Sequence, residues 1–132
     1  MTRRWGWLAL AAPLLLASCA RDIRGDERAS DVRGPAAIAG GDPERGRAAI
    51  RANGCGSCHT IPGVTGATAL VGPPLTHIAQ RVYIAGVLPN TTENMVRWLL
   101  DPPAVDSLTA MPNLGLRRSE AHDIAAYLYS LD

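Results

Sequence analysis

The sequence predicts an all-α domain with long loops, and three observations carry that prediction. Helix start and stop signals recur from Asp42 onward. The apolar positions of the last segment, Ala121, Ile124, Ala125, Leu128 and Leu131, recur at three and four. Nothing in the chain reads as a strand pair.

Asp42-Pro43-Glu44 opens the first helix, with an Asp N-cap, Pro at the first helical position and an acid in the first turn. This helix should run to about Asn53 and end at Gly54. The stretch 63–74 reads as loop, with Gly at 63, 66 and 72 and Pro at 73 and 74. A short helix is expected over Thr76–Arg81. A second clear helix, Glu93 to about Asp101, is stopped by Pro102-Pro103. Ala104–Leu114 is read as loop again, and the last helix as running from near Arg118 to Leu131. Long ordered loops in so small a domain need something to hold them.

The chain has 132 residues, room for one domain, and 47% of them are hydrophobic. It holds three tryptophans, three tyrosines and no phenylalanine, so its core is poor in rings. A formal net charge of +1 argues against an electrostatic nucleic-acid binder. Every basic residue is Arg.

The N-terminus has the form of an export signal. Arg3 and Arg4 precede an apolar stretch, Trp5–Ala17, that is too short for a membrane span of about 20 residues. The stretch ends in Leu16-Ala17-Ser18-Cys19, which resembles the bacterial lipobox. That resemblance implies cleavage before Cys19 and a lipid on its thiol, and it accounts for the odd one of three cysteines. Ala20 in the next position would favour the outer membrane by resemblance to enteric lipoproteins. Residues 19–41 then read as a charged, Gly/Pro-containing tether spanning roughly 25 Å as a flexible coil. The expected organisation is a signal peptide over 1–18, a lipidated tether over 19–41, and a domain over 42–132, carried on the extracytoplasmic side of a bacterial envelope membrane.

Cys55-Gly56-Ser57-Cys58-His59 is the c-type haem attachment signature. Two thiols three positions apart can add to the two vinyl groups of one porphyrin, and the next residue then turns its imidazole to the iron. A thioredoxin-like redox pair would need a βαβ surround, and half of a zinc site would need two further ligands at matching spacing. Neither is visible; the other histidines are His77 and His122. Met111, in the Pro-stiffened loop Ala110-Met111-Pro112, is the expected sixth ligand. Met95 reads as core, His77 as a rival ligand or a plain loop histidine, and His122 as solvent-facing. His/Met ligation leaves no open position on the iron, so the expected function is electron transfer and not catalysis.

With these residues in view the domain resembles a class I cytochrome c, three main helices and long loops around one covalently bound haem. It is most similar to the cytochrome c domain of haem–copper oxidase subunit II. The shared run includes Gly54-Cys55, Val71-Gly72-Pro73, Leu75-Thr76-His77, Arg81, Leu88-Pro89-Asn90-Thr91, Glu93-Asn94, Arg97-Trp98, Asp101-Pro102, Met111-Pro112, Gly115-Leu116 and Ala126-Tyr127-Leu128. The resemblance implies that the Pro73 carbonyl accepts a hydrogen bond from His59, that Arg81 and, less strongly, Asn90 approach a haem propionate, and that Trp98 lies against the haem. It implies too that Gly46 lets the first helix cross the last near Ile124 and Tyr127. Two departures stand out: Ile50 where the family has an aromatic residue, and Arg117 where it has a Ser or Thr cap.

These expectations define a membrane-tethered, monomeric electron shuttle between respiratory partners, such as a quinol-oxidising complex or dehydrogenase and a terminal oxidase. A fixed relay subunit of a larger complex and a haem-based gas or redox sensor are the other readings. With seven Arg against eight acids the domain lacks a dense basic ring, which favours a transient, mainly apolar docking interface.

Overall fold

A computed structural model describes residues 41–131. The predicted signal peptide, the lipid site at Cys19 and nearly all of the tether lie outside the described residues. Within them the order is α1 (Pro43–Ala52), a 3-10 turn at Cys55–Ser57, a second at Ile78–Gln80, β1 (Tyr83–Ile84), β2 (Leu88–Pro89), α2 (Thr92–Leu100), α3 (Pro102–Val105) and α4 (Arg118–Tyr129). No helix among the described residues is long and apolar enough to cross a membrane.

Each helix start has a local cause. Asp42 Oδ1 accepts from the backbone N–H groups of Glu44 and Arg45 at 2.9 and 3.1 Å, capping α1. Thr91 Oγ1 accepts from the Asn94 N–H at 3.2 Å and caps α2. Asp101 caps α3 through the Ala104 N–H, so the prolines that stop α2 also start the next turn. Arg117 has no acceptor to offer α4. Glu120 supplies one in reverse, accepting from the Arg117 N–H at 2.9 Å and from its guanidinium at 3.1 Å. That pairing holds the Glu120 carboxyl below the usual carboxylate range.

α1 crosses α4 to make the main helix contact. Gly46 is buried there, and a Cβ on it would lie 2.0 Å from the Asp123 carbonyl oxygen and 3.0 Å from the Tyr127 Cβ. The crossing is therefore as close as backbones allow. Ile50, in the position where an aromatic was expected, is fully buried beside Ile124, Ala121 and Ala125. At the α1 N-terminus, Asp123 takes a two-pronged pair from Arg45, Nε at 2.9 Å and Nη2 at 3.0 Å, and the Asp42 N–H at 2.7 Å. Arg45 keeps the Asp123 carboxyl below its ordinary pKa.

Four expectations are corrected. The domain is not purely helical: β1 and β2 pair antiparallel, with Tyr83 opposite Pro89 and Ile84 opposite Leu88. The turn between them places Ala85 and Gly86 both at positive φ, 50° and 77°, and Ala-Gly lacks the Asn-Gly or Asp-Gly signal that marks such turns. The helix expected over Thr76–Arg81 shrinks to Ile78–Gln80 because His77 is left-handed, φ 51°. The stretch read as loop from Ala104 begins inside α3. His122 is half-buried, not solvent-facing, and its Nδ1 is buried with no hydrogen-bond partner among the described residues.

Candidate functional site

The site grows out of the C-terminus of α1. Asn53 ends the helix, donating its backbone N–H and its side-chain Nδ2 to the Ala49 carbonyl, 2.9 Å each. Gly54 then takes positive φ, 67°, and the chain enters the 3-10 turn. The turn is closed by Cys58 N–H and His59 N–H, both donating to the Cys55 carbonyl at 3.2 and 3.0 Å. Cys55 and Cys58 therefore project from one compact turn. Both thiols are unpaired and partly buried. Burial pushes the Cys55 thiol pKa up, which is opposite to the depressed pKa of a redox-active thiolate pair. Among the described residues no group of three or more His, Cys, Asp or Glu side chains is placed to hold a metal ion, so the pair has no partners for a zinc site.

His59 follows at the end of the turn. Its Nδ1 lies 2.7 Å from the Pro73 carbonyl oxygen. A carbonyl only accepts, so Nδ1 carries the proton and Nε2 the lone pair. The loop that supplies Pro73 is tied to the turn by the Gly72 N–H, which donates to the Cys58 carbonyl at 2.7 Å. A Cβ on Gly72 would sit 2.4 Å from His59 Cε1 and 3.0 Å from Nε2. Gly72 thus leaves room for the imidazole where any side chain would collide with it. It is a site residue that sequence reasoning quoted only as part of a motif; its signal is a Gly directly before the Pro that receives the histidine.

The remaining predicted residues fall in different places. Arg81 donates to the carbonyls of Pro74 and Thr76 and so straps the loop that follows Pro73. Asn90 donates through Nδ2 to the Ile78 and Arg81 carbonyls, 2.7 Å each, and its Oδ1 accepts from the Tyr129 hydroxyl at 2.7 Å. Its amide is committed to the protein frame, with no donor left over for a carboxylate. Trp98 and Met95 are buried in α2, and Met111 is half-buried at the edge of the same core. The Met111 N–H is held by Thr109 Oγ1 at 3.2 Å. His77 is exposed.

Beside this geometry stand the comparisons. Residues 43–132 match the family model described as cytochrome c. The chain belongs to the cytochrome c family. As a cytochrome c it is a haem electron-transfer protein. It is also 35% identical over 88 residues to a cytochrome c oxidase subunit 2 of Alkalihalophilus pseudofirmus, a match covering 66% of this chain and 25% of that protein. It thus spans about a quarter of that relative's length, and its domain is close to the cytochrome c domain of oxidase subunit II. No solved structure matches the chain.

The residues present fit a c-type haem. Two unpaired thiols leave one turn, an imidazole with its Nε2 lone pair follows, and a glycine makes room for the ring. Leu70 and Val71, just before that glycine, are each 79% exposed as apolar side chains, the surface a flat apolar cofactor would cover.

Proposed function

We propose that the protein is a one-electron carrier of a respiratory chain. It carries one haem c attached through Cys55 and Cys58, with His59 and Met111 as the axial ligands of its iron. In this reading residues 1–18 are removed on export, a lipid on Cys19 and the tether over 19–41 hold the domain over 42–132 at the outer face of a membrane, and the domain acts as a monomer.

The observation that carries the reading is the His59–Pro73 hydrogen bond at 2.7 Å. It fixes the tautomer that an iron ligand needs and aims the ring. Bound there, haem supplies reversible one-electron exchange. The protein's part is to hold geometry constant through it. Gly72 sets the ring against the loop, the 3-10 turn sets the thiols, and the Thr109 hydroxyl steadies the backbone of Met111. With a nitrogen and a sulphur ligand both supplied by the chain, no coordination position is left for substrate or gas, which favours a carrier over an enzyme or a sensor.

The match to an oxidase subunit favours a second reading, a fixed relay within an oxidase complex, with the same site and chemistry. Co-purification with an oxidase that survives detergent and salt would select it over the shuttle.

The axial pair is tested by carbon monoxide. The ferrous wild-type spectrum should be unchanged by the gas, and Met111→Ala should bind it. Gas binding by the wild type at neutral pH, or an unaltered spectrum in Met111→Ala, would remove Met111 from the iron.

A further inference from the structure

Outside the attachment loop, one buried hydroxyl ends a line of hydrogen bonds that leads back to His59. Tyr129, the last residue of α4, is 4% exposed. Its hydroxyl donates to Asn90 Oδ1 at 2.7 Å, with the Thr91 carbonyl at 3.1 Å. Asn90 passes the constraint to the Ile78 and Arg81 carbonyls at 2.7 Å each. The Arg81 guanidinium then holds the carbonyls of Pro74 and Thr76, and Pro73, the neighbour of Pro74, receives the His59 Nδ1 proton.

Every link has a chemical direction. The Ile78 and Arg81 carbonyls accept only, so Asn90 must present its NH2 group to them and its oxygen to Tyr129. With the hydroxyl gone, that oxygen is left without this donor in a buried place, and the amide is freer to rotate. Released there, the Arg81 backbone shifts, and its strap over the Pro74–Thr76 loop loosens. A second tyrosine on α4 holds a different loop: the Tyr127 hydroxyl donates to the Pro62 carbonyl at 2.7 Å. The two are therefore separable anchors.

We propose that Tyr129, acting through Asn90 and Arg81, is a positioning residue that sets the strength of the His59–Pro73 hydrogen bond and with it the redox poise of the site. The proposal rests on His59 being the iron ligand. If that reading fails, the failure appears in the parent protein, whose His59 Nδ1 proton would show no shift between the ferrous and ferric states, before any variant is compared.

The experiment uses the matured, coloured protein and Tyr129→Phe, with Ile50→Val as a control that removes core packing in α1 and none of these hydrogen bonds. Nuclear magnetic resonance follows solvent exchange of the His59 Nδ1 proton, and a redox titration follows the midpoint potential. Tyr129→Phe should speed that exchange about tenfold beyond what its loss of global stability explains. A weakened N–H···O bond leaves the imidazole a poorer electron donor to bound iron and favours the ferrous form. The ferrous-to-ferric ratio at fixed potential should rise about threefold, a positive shift of about 28 mV for a one-electron couple. Ile50→Val should do neither.

Equal acceleration in both variants, or an unmoved potential in Tyr129→Phe, would overturn the proposal. Arg81→Lys tests the same line independently. It keeps the charge but loses the two-carbonyl strap, and must shift the potential with the same sign. In that background Tyr129→Phe should lose more than half of its effect, and full additivity would also overturn the proposal.

Discussion

The α1–α4 crossing and the loop from Gly54 to Arg81 are held by different physics. The crossing is a side-chain structure: small residues let two helices meet, branched aliphatics fill the contact, and Arg45 clamps Asp123 at one end. The loop is a backbone structure. Its ties include Gly72 N–H to the Cys58 carbonyl, Leu75 N–H to the Thr60 carbonyl and His59 Nδ1 to the Pro73 carbonyl; Ile61, Val64, Ala67 and Ile78 turn into the shared core, while Leu70 and Val71 point outward. Both regions share one core, to which the crossing contributes Ile50, Ala121, Ile124 and Ala125. The loop adds backbone ties and leaves the Leu70–Val71 segment exposed. Helix crossing and loop are therefore sensitive to different substitutions, and variants should separate the two.

Gly46→Ala is expected to have the largest effect. Alanine gains about 1 kcal/mol of helix propensity, but its Cβ would lie 2.0 Å from the Asp123 backbone oxygen. Neither backbone can step aside without parting the helices. A net loss of about 2–3 kcal/mol and a melting temperature lower by about 10–20 °C are expected in calorimetry. An unchanged melting temperature would show that the crossing is looser than described. Gly72→Ala should do the converse. Its Cβ meets the His59 ring at 2.4 Å, so helix content by circular dichroism should be retained while haem per polypeptide falls by about tenfold, the effect of an overpacked contact costing about 1–3 kcal/mol. Full haem content would break the contrast.

Legibility in the sequence followed the same division. The cap of α1 and the stops of α1 and α2 are short-range chemistry, and Asp42, Pro43, Gly54 and Pro102 announced them; the Thr91 cap, one residue before the expected start of α2, did not stand out beside Thr92. The attachment turn was legible because two cysteines and a histidine at fixed spacing have few other uses. The β1–β2 hairpin was missed because its strands are two residues each and its turn is Ala85-Gly86. α3 was missed because two prolines were read only as an end. His122 is half-buried where Gly41 comes close to its carbonyl, an approach between ends of the domain that no local pattern reveals. Asn90 was read as facing a propionate; nothing local to the sequence shows that Tyr129 takes its oxygen.

Asp123→Asn comes next in size. The carboxylate is buried and accepts three charge-assisted or backbone hydrogen bonds, so a loss of about 1–2 kcal/mol and about 5–10 °C is expected near neutral pH. The sign of its pH dependence follows from the lowered pKa of Asp123 in the folded protein. That stabilisation is complete above the unfolded carboxylate range and is lost as pH falls through the folded value. The gap between wild type and Asp123→Asn should hold above about pH 5 and close progressively below it. A gap that widens in acid would contradict the clamp. The smallest expected effect is that of salt: with near-balanced charge on the domain, electron-transfer rates should change by less than about threefold between low and physiological ionic strength.

The central claim, a porphyrin joined to both thiols of one turn, is tested most directly by peptide mass. Trypsin cuts after Arg51 and Arg81, so residues 52–81 form one fragment that contains Cys55, Cys58 and His59. From protein matured by export, that fragment should carry the mass of one haem and offer no thiol to an alkylating reagent. A fragment that takes two alkyl groups and carries no haem would contradict the account.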